Sequence, residues 1–136
     1  MERATRQRGA IREALARAGR PLLPEELLDA ARAAVPGLGI ATVYRNLKRL
    51  ADEGEVRAVD LPGENTRYEA TGSGHHHHFQ CRVCSRVFDV HACPGDLAAL
   101  APSGFAVEDH DLTLYGTCSD CSGRRRARPA ATRQRR

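Results

Sequence analysis

The sequence predicts an α+β fold in two small domains, and three observations carry that prediction. Before residue 70, three segments with helical apolar spacing are followed by two short strand-like stretches around a turn. After residue 80 stand two Cys-x-x-Cys pairs, Cys81/Cys84 and Cys118/Cys121, with 33 residues between them. Thr71-Gly72-Ser73-Gly74 separates the two regions and has the composition of a flexible boundary. The expected domains are residues 1–70, a hinge at 71–74, residues 75–121, and an Arg-rich tail at 122–136 expected to be disordered.

The first helix is expected from Thr5, a capping residue, to about Ala18, with Ile11, Leu15 and Ala18 at helical spacing and Gly19 ending it. Pro24 suits the first turn of a second helix carrying Leu27, Leu28 and Ala31, which Val35 to Gly39 closes. In the third helix, Ile40 to Glu53, the residues Ile40, Val43, Leu47 and Leu50 form a narrow apolar stripe. Its polar side carries Thr42, Tyr44, Arg45, Asn46, Lys48 and Arg49. Such a face is either ordinary solvated surface or, because Arg and Lys neutralise phosphates or read guanine and Asn reads adenine, a DNA-reading surface. The strands expected at Glu55–Leu61 and Thr66–Ala70, with a turn at Pro62–Asn65, shift the balance. Three short helices and a hairpin make a winged helix-turn-helix, in which the third helix enters the major groove.

Charge is uneven along the chain. Residues 1–60 hold 11 basic and 9 acidic side chains, residues 61–121 hold 3 and 8, and residues 122–136 hold 7 arginines and no acid. The acidic middle favours a cation, while the tail is a solubilising or weakly phosphate-binding appendage. No apolar run is long enough to span a bilayer, and the Arg-rich start is unlike a secretory signal, so a cytoplasmic protein with no membrane partner is expected. Four of the five cysteines fall in the two pairs, which suits a reducing compartment and a metal site better than a disulfide framework.

Two Cys-x-x-Cys knuckles deliver the four soft ligands of a closed tetrahedral site, so Cys81, Cys84, Cys118 and Cys121 are expected to hold structural Zn²⁺. A pair of redox disulfides is the competing reading. Just upstream, His75, His76, His77 and His78 run toward Cys81. If they enter its strand, alternation turns His76 and His78 one way and His75 and His77 the other. Glu69 can then join the first pair, and His110 with Asp96 the second. Mixed imidazole and carboxylate donors suit Zn²⁺, Fe²⁺ or Mn²⁺ alike. His91 and Cys93 are left without a role, Cys93 being read as a free thiol.

Several spaced motifs together resemble the ferric uptake regulator superfamily. They are Leu38-Gly-Ile-Ala-Thr-Val-Tyr-Arg-Asn-Leu47, Arg67-Tyr-Glu69, the four histidines followed by Phe-Gln-Cys-x-x-Cys84, and His110-Asp-Leu-Thr-Leu-Tyr-Gly-Thr-Cys-x-x-Cys121, covering about residues 3–121. The resemblance implies a homodimeric metal-responsive transcription factor, usually a repressor, that binds a palindromic DNA operator. It implies an N-terminal winged-helix domain and a C-terminal α/β dimerisation domain. Tyr44 and Arg45 match the DNA-contacting pair, the four cysteines the structural zinc ligands, Glu69, His76 and His78 the hinge sensor ligands, and His75, His77, Asp96 and His110 a second site.

The chain also departs from the family's pattern. A histidine that many members supply from the start of the second helix is replaced by Pro21 or Leu22, leaving a hinge ligand unassigned. Ala70 stands where zinc-sensing members often place a cysteine, and Glu69 where peroxide-sensing members tend to have Asp. The segment between Asp96 and His110 is shorter than usual. A metal-responsive repressor of metal-uptake genes is the expected function, with a peroxide or redox-sensing regulator as the alternative. A zinc hydrolase is less well supported, since no His-Glu-x-x-His helix is present.

Overall fold

In a computed structural model, which describes residues 2–72 and 74–126, the chain divides between His76 and His77 into two compact units. The first contains α1 (Glu2–Ala18), α2 (Pro24–Ala31), α3 (Ile40–Asp52), β1 (Val56–Val59) and β2 (Arg67–Ala70). The second contains β3 (His77–Cys81), β4 (Val87–Val90), a single 3₁₀ turn (Ala98–Leu100), β5 (Thr113–Gly116) and α4 (Ser119–Arg126).

Local sequence explains the boundaries in the first unit. α1 begins at Glu2, ahead of the expected cap at Thr5, and ends at Gly19, whose φ of 61° is costly for other residues. α2 starts on Pro24, with the Glu26 carboxylate accepting the Leu23 N–H at 2.9 Å. α3 ends in a Schellman turn: Glu55 N–H donates to Leu50 O at 2.9 Å and Gly54 N–H to Ala51 O at 3.0 Å, with Gly54 at φ 79°. β1 and β2 then pair antiparallel, Arg57 opposite Glu69, and Leu22 bridges to Tyr68.

Ile11, Leu15, Leu27, Leu38, Val43, Leu47 and Leu50 form one buried core, joined by Leu22 and Val56. Ile40 departs from the expected stripe; at the first position of α3 it remains 38 % exposed. Leu47 is 1 % exposed between the helices. Leu47→Ala is therefore expected to cost about 2–5 kcal/mol, through lost burial and the cavity left behind, measurable as a lowered denaturation midpoint of this unit.

The second unit has little apolar material and organises it around sulfur. β3 is central, antiparallel to β4 and parallel to β5. Parallel strands need a crossover, here residues 91–112. Its one helical turn among the described residues is the 3₁₀ turn Ala98–Leu100, because Pro94, Gly95, Pro102 and Gly104 interrupt the segment. The crossover returns to the sheet as the short strand Thr113–Gly116. Gly116 fits because a Cβ there would meet the Phe79 ring at 3.1 Å. After Cys121 the expected disorder is corrected by α4, which runs to Arg126; Ser119 and Asp120 in its first turn suit a helix start. The remainder of the expected tail, residues 127–136, and Ser73 of the expected hinge lie outside the described residues. No helix among the described residues is long and apolar enough to cross a membrane.

Candidate metal centres and nucleic-acid face

The knuckle between β3 and β4 and the start of α4 bring four sulfurs together. Cys81 closes β3, Cys84 follows in the turn, Cys118 immediately precedes α4, and Cys121 lies in its first turn. All five cysteines are free thiols. The sulfurs of Cys81, Cys84, Cys118 and Cys121 all lie within 4.8 Å of one another, and Cys84 Sγ is 3.9 Å from Cys118 Sγ. Metal–sulfur bonds of about 2.3 Å give a tetrahedron with edges of roughly 3.8 Å, so the donor set fits Zn²⁺.

Hydrogen bonds favour the thiolate at two of these sulfurs, Cys81 and Cys84. Burial pushes the Cys81 thiol up, but the N–H groups of Cys84, Cys118 and Val83, at 3.3–3.4 Å from its sulfur, outweigh it and bring it to about 6. Burial also opposes ionisation of Cys84, and Arg86, donating to its sulfur at 3.2 Å, pulls that thiol below its usual range. The Arg86 guanidinium is in turn held above its ordinary value, first by Cys84 and then by Asp120 at 3.2 Å.

In the first unit, Glu69 on β2 and His76 are both buried, 4 % and 5 % exposed. Glu69 Oε2 lies 3.0 Å from His76 Nε2 and accepts a 2.8 Å hydrogen bond from Arg57 Nε. A second guanidinium nitrogen of Arg57 sits 2.8 Å from His76 Nε2. Arg57 thus stands in for a cation beside a carboxylate and an imidazole, and the pair is suited to a divalent metal. Gly74 O, 3.0 Å from His76 Nδ1, orients the ring as the outer partners of metal-ligating histidines do.

In the second unit, His78 Nε2 is 3.5 Å from Asp89 Oδ1. The sequence reading missed Asp89. Its signal was the hairpin register: counting back from the Cys81–Arg86 turn pairs Gln80 with Val87, Phe79 with Phe88 and His78 with Asp89. Asp89 thus sets a carboxylate beside the His78 imidazole.

His77 leaves β3 on the other side, as strand alternation predicts. It is buried, takes the Leu112 N–H on Nδ1 at 3.1 Å, and stacks on His110 with ring centroids 5.0 Å apart. The expected carboxylate partner, Asp96, is not among the donors that come together here; its Oδ1 accepts the Ala98 N–H at 2.9 Å at the start of the 3₁₀ turn. Cys93 takes that place, its sulfur 3.3 Å from His110 Nε2, and His77, Cys93 and His110 each offer a ligand atom within 4.8 Å of the others. His75 lies in the first unit, exposed, and His91 is exposed after β4.

The outward side of α3 holds the sequence-assigned DNA residues. Tyr44, Arg45, Lys48 and Arg49 are exposed and Thr42 is half-buried. Arg45 donates to Thr42 Oγ1 at 3.0 Å, which extends the guanidinium along the helix, while Lys48 and Arg49 lean toward Asp52 and Glu53 at 3.5 and 3.2 Å. Tyr44 shares a recess with Asn65, Thr66 and Tyr68, so the hairpin borders the helix face as a wing.

Comparison with known proteins agrees with this arrangement. The model of the ferric uptake regulator family matches residues 2–115. The chain is 34 % identical over 123 residues to the transcriptional regulator FurA of Mycobacterium bovis, covering 88 % of this chain and 83 % of that one. It is 32 % identical to the peroxide operon regulator of Bacillus subtilis (88 % and 84 % covered) and 34 % identical to a zinc uptake regulation protein of Mycobacterium tuberculosis (88 % and 94 %). Among solved structures, the Helicobacter pylori ferric uptake regulator, described as having three functional metal-binding sites, matches at a TM-score of 0.69 and 26 % identity, over 85 % of this chain and 79 % of that one. A zinc-bound manganese uptake regulator matches at 0.71 and 28 %, over 82 % and 87 %. A winged helix-turn-helix unit, an α/β unit built on a four-cysteine cluster, and a family match over nearly the whole chain lead to one assignment: this chain belongs to the ferric uptake regulator family, whose members are metal-responsive transcriptional regulators and not enzymes.

Proposed function

We propose that the chain is a homodimeric repressor of metal-uptake genes whose binding to a palindromic operator is switched on by a divalent cation. The observation that carries this reading is the division of the donors: Glu69 and His76 belong to the first unit, His78 and Asp89 to the second. A cation taken by both pairs ties the DNA-binding unit to its neighbour and restricts the rotations open to the link at residues 71–74. Two imidazoles and two carboxylates accommodate Zn²⁺, Fe²⁺ or Mn²⁺, so the metal is set by affinity and supply. Structural Zn²⁺ occupies the four cysteines and takes no part in switching.

A second copy has a surface to cover. Leu100, Phe105 and Leu114 are 79 %, 70 % and 52 % exposed in the second unit, and β5 is a sheet edge. Two copies related by a two-fold axis present two α3 helices to successive major grooves, about 34 Å apart. Sedimentation of the zinc-loaded protein should give a dimer.

The test of the switch is a titration. Apo-sensor protein, retaining its structural zinc, is loaded separately with Zn²⁺, Mn²⁺ or anaerobic Fe²⁺, and binding to a duplex selected from a random pool is followed. At least one cation should tighten binding; unchanged affinity with all three demonstrably bound refutes the switch. On the DNA face, Arg45→Ala is expected to weaken the selected duplex by about 1–3 kcal/mol, roughly 5- to 150-fold, and to relax preference at one base position. Lys48→Ala, a phosphate contact, should instead lower the salt slope by about 1.

The peroxide-sensing reading draws on the likeness to a peroxide operon regulator. With Fe²⁺ in the sensor donors, it requires an oxygen adduct on His76 or His78 after mild peroxide, visible by mass spectrometry.

A further inference from the structure

We propose that Cys93 is a thiolate ligand, completing with His77 and His110 a second, softer metal site in the C-terminal unit. Donor proximity comes first: three ligand atoms from β3, the start of the crossover and its end lie within 4.8 Å of one another, with Cys93 Sγ 3.3 Å from His110 Nε2. The second argument is independent of proximity. Gly95 N–H donates to Cys93 Sγ at 3.4 Å, two residues on, and Val83 N–H donates to Cys81 Sγ at the same spacing and the same distance. The same two-residue amide-to-sulfur turn is found at Cys81, a member of the four-cysteine cluster. Cys93-Pro94-Gly95 repeats it, with Pro94 setting the bend and Gly95 accepting a φ of 95°.

The acid expected at this site is otherwise engaged. Asp96 Oδ1 accepts the Ala98 N–H at 2.9 Å, two residues along, where the 3₁₀ turn begins. His77 stacks on His110 with ring centroids 5.0 Å apart, which sets the two imidazoles side by side. His75, two residues upstream of His77, is available in sequence as a fourth donor.

The exchange of a carboxylate for a thiolate changes what the site selects. Sulfur with imidazole favours Zn²⁺ and other soft or borderline ions, whereas a carboxylate in the same position would serve Mn²⁺ equally well. The proposal deepens the metalloregulator reading by adding a site with its own selectivity, and it stands or falls without reference to DNA binding.

The test uses full-length protein whose four-cysteine cluster is filled with Zn²⁺, confirmed by metal analysis, and Co²⁺ as the optical probe. Added Co²⁺ should produce a near-ultraviolet thiolate-to-metal charge-transfer band while bound zinc stays constant. Cys93→Ser should abolish that band and weaken this Co²⁺ site by more than the ~10–100-fold that loss of an outer-shell partner costs. Cys93→Asp should restore Co²⁺ binding without the band and improve competition by Mn²⁺. Asp96→Asn should change neither. Retained zinc in each variant shows that the unit is folded. Cobalt binding with no thiolate band, a band unaltered in Cys93→Ser, or loss of the site in Asp96→Asn each overturns the assignment.

Discussion

Cys81→Ser is expected to strip zinc from the second unit and unfold it. The buried cluster there consists of Cys81, Cys118 and Cys121, with only Phe79, Cys84 and Phe88 packed against it. Remove the metal and the unit loses what its buried cysteine cluster is built around. Structural zinc supplies roughly 10–16 kcal/mol in small domains that fold around it, against a net stability of about 5–15 kcal/mol for a typical protein. The loss therefore exceeds what three short strands and one short helix can offset. The first unit is predicted to survive, since its core of Ile11, Leu27, Leu38, Leu47 and Leu50 contains no sulfur. Metal analysis should find no tightly bound zinc, and hydrogen exchange should show protection lost from β3 to α4 and kept in α1 to α3. A protected β3 in zinc-free protein would contradict the staple.

The first unit was largely legible because its information is local. Val43, Leu47 and Leu50 mark α3 by spacing alone, and Pro24 and Gly19 mark helix ends by backbone chemistry. The cysteine pairs were legible because a knuckle is a four-residue device. What escaped the reading depends on register or on competition for a side chain. Asp89 becomes a neighbour of His78 only once the β3–β4 hairpin is counted outward from its turn. Asp96 has the right chemistry for a ligand, but a closer backbone N–H takes it, and Cys93 three residues earlier is left facing His110. α4 was hidden because Ser-Gly-Arg-Arg-Arg carries no apolar period, so its first turn is fixed by the cysteines.

His78→Ala is expected to leave DNA affinity without metal unchanged and to remove most of the metal's effect on it. The half-buried His78 side chain lies in the second unit beside Asp89, remote in sequence from α3, so the substitution touches no DNA-facing residue. A cation can shift the protein toward a DNA-competent arrangement only by as much as it prefers that arrangement, and that preference comes from holding donors of both units together. With His78 gone, Glu69 and His76 can still bind weakly, but the ion no longer ties the units. Couplings of this kind are typically 1–3 kcal/mol, or about 5- to 150-fold in affinity, and the wild-type protein should fall in that range. Reciprocity supplies a second reading of the same quantity: DNA must tighten sensor-metal binding by the factor by which metal tightens DNA binding, and in His78→Ala both factors should collapse toward one. Arg45→Ala offers the contrast, because it should lower DNA affinity with and without metal while leaving metal affinity in free protein intact. If His78→Ala kept the full metal response, the cation would be acting from another site, and the division of Glu69, His76, His78 and Asp89 between the units would have no part in the switch.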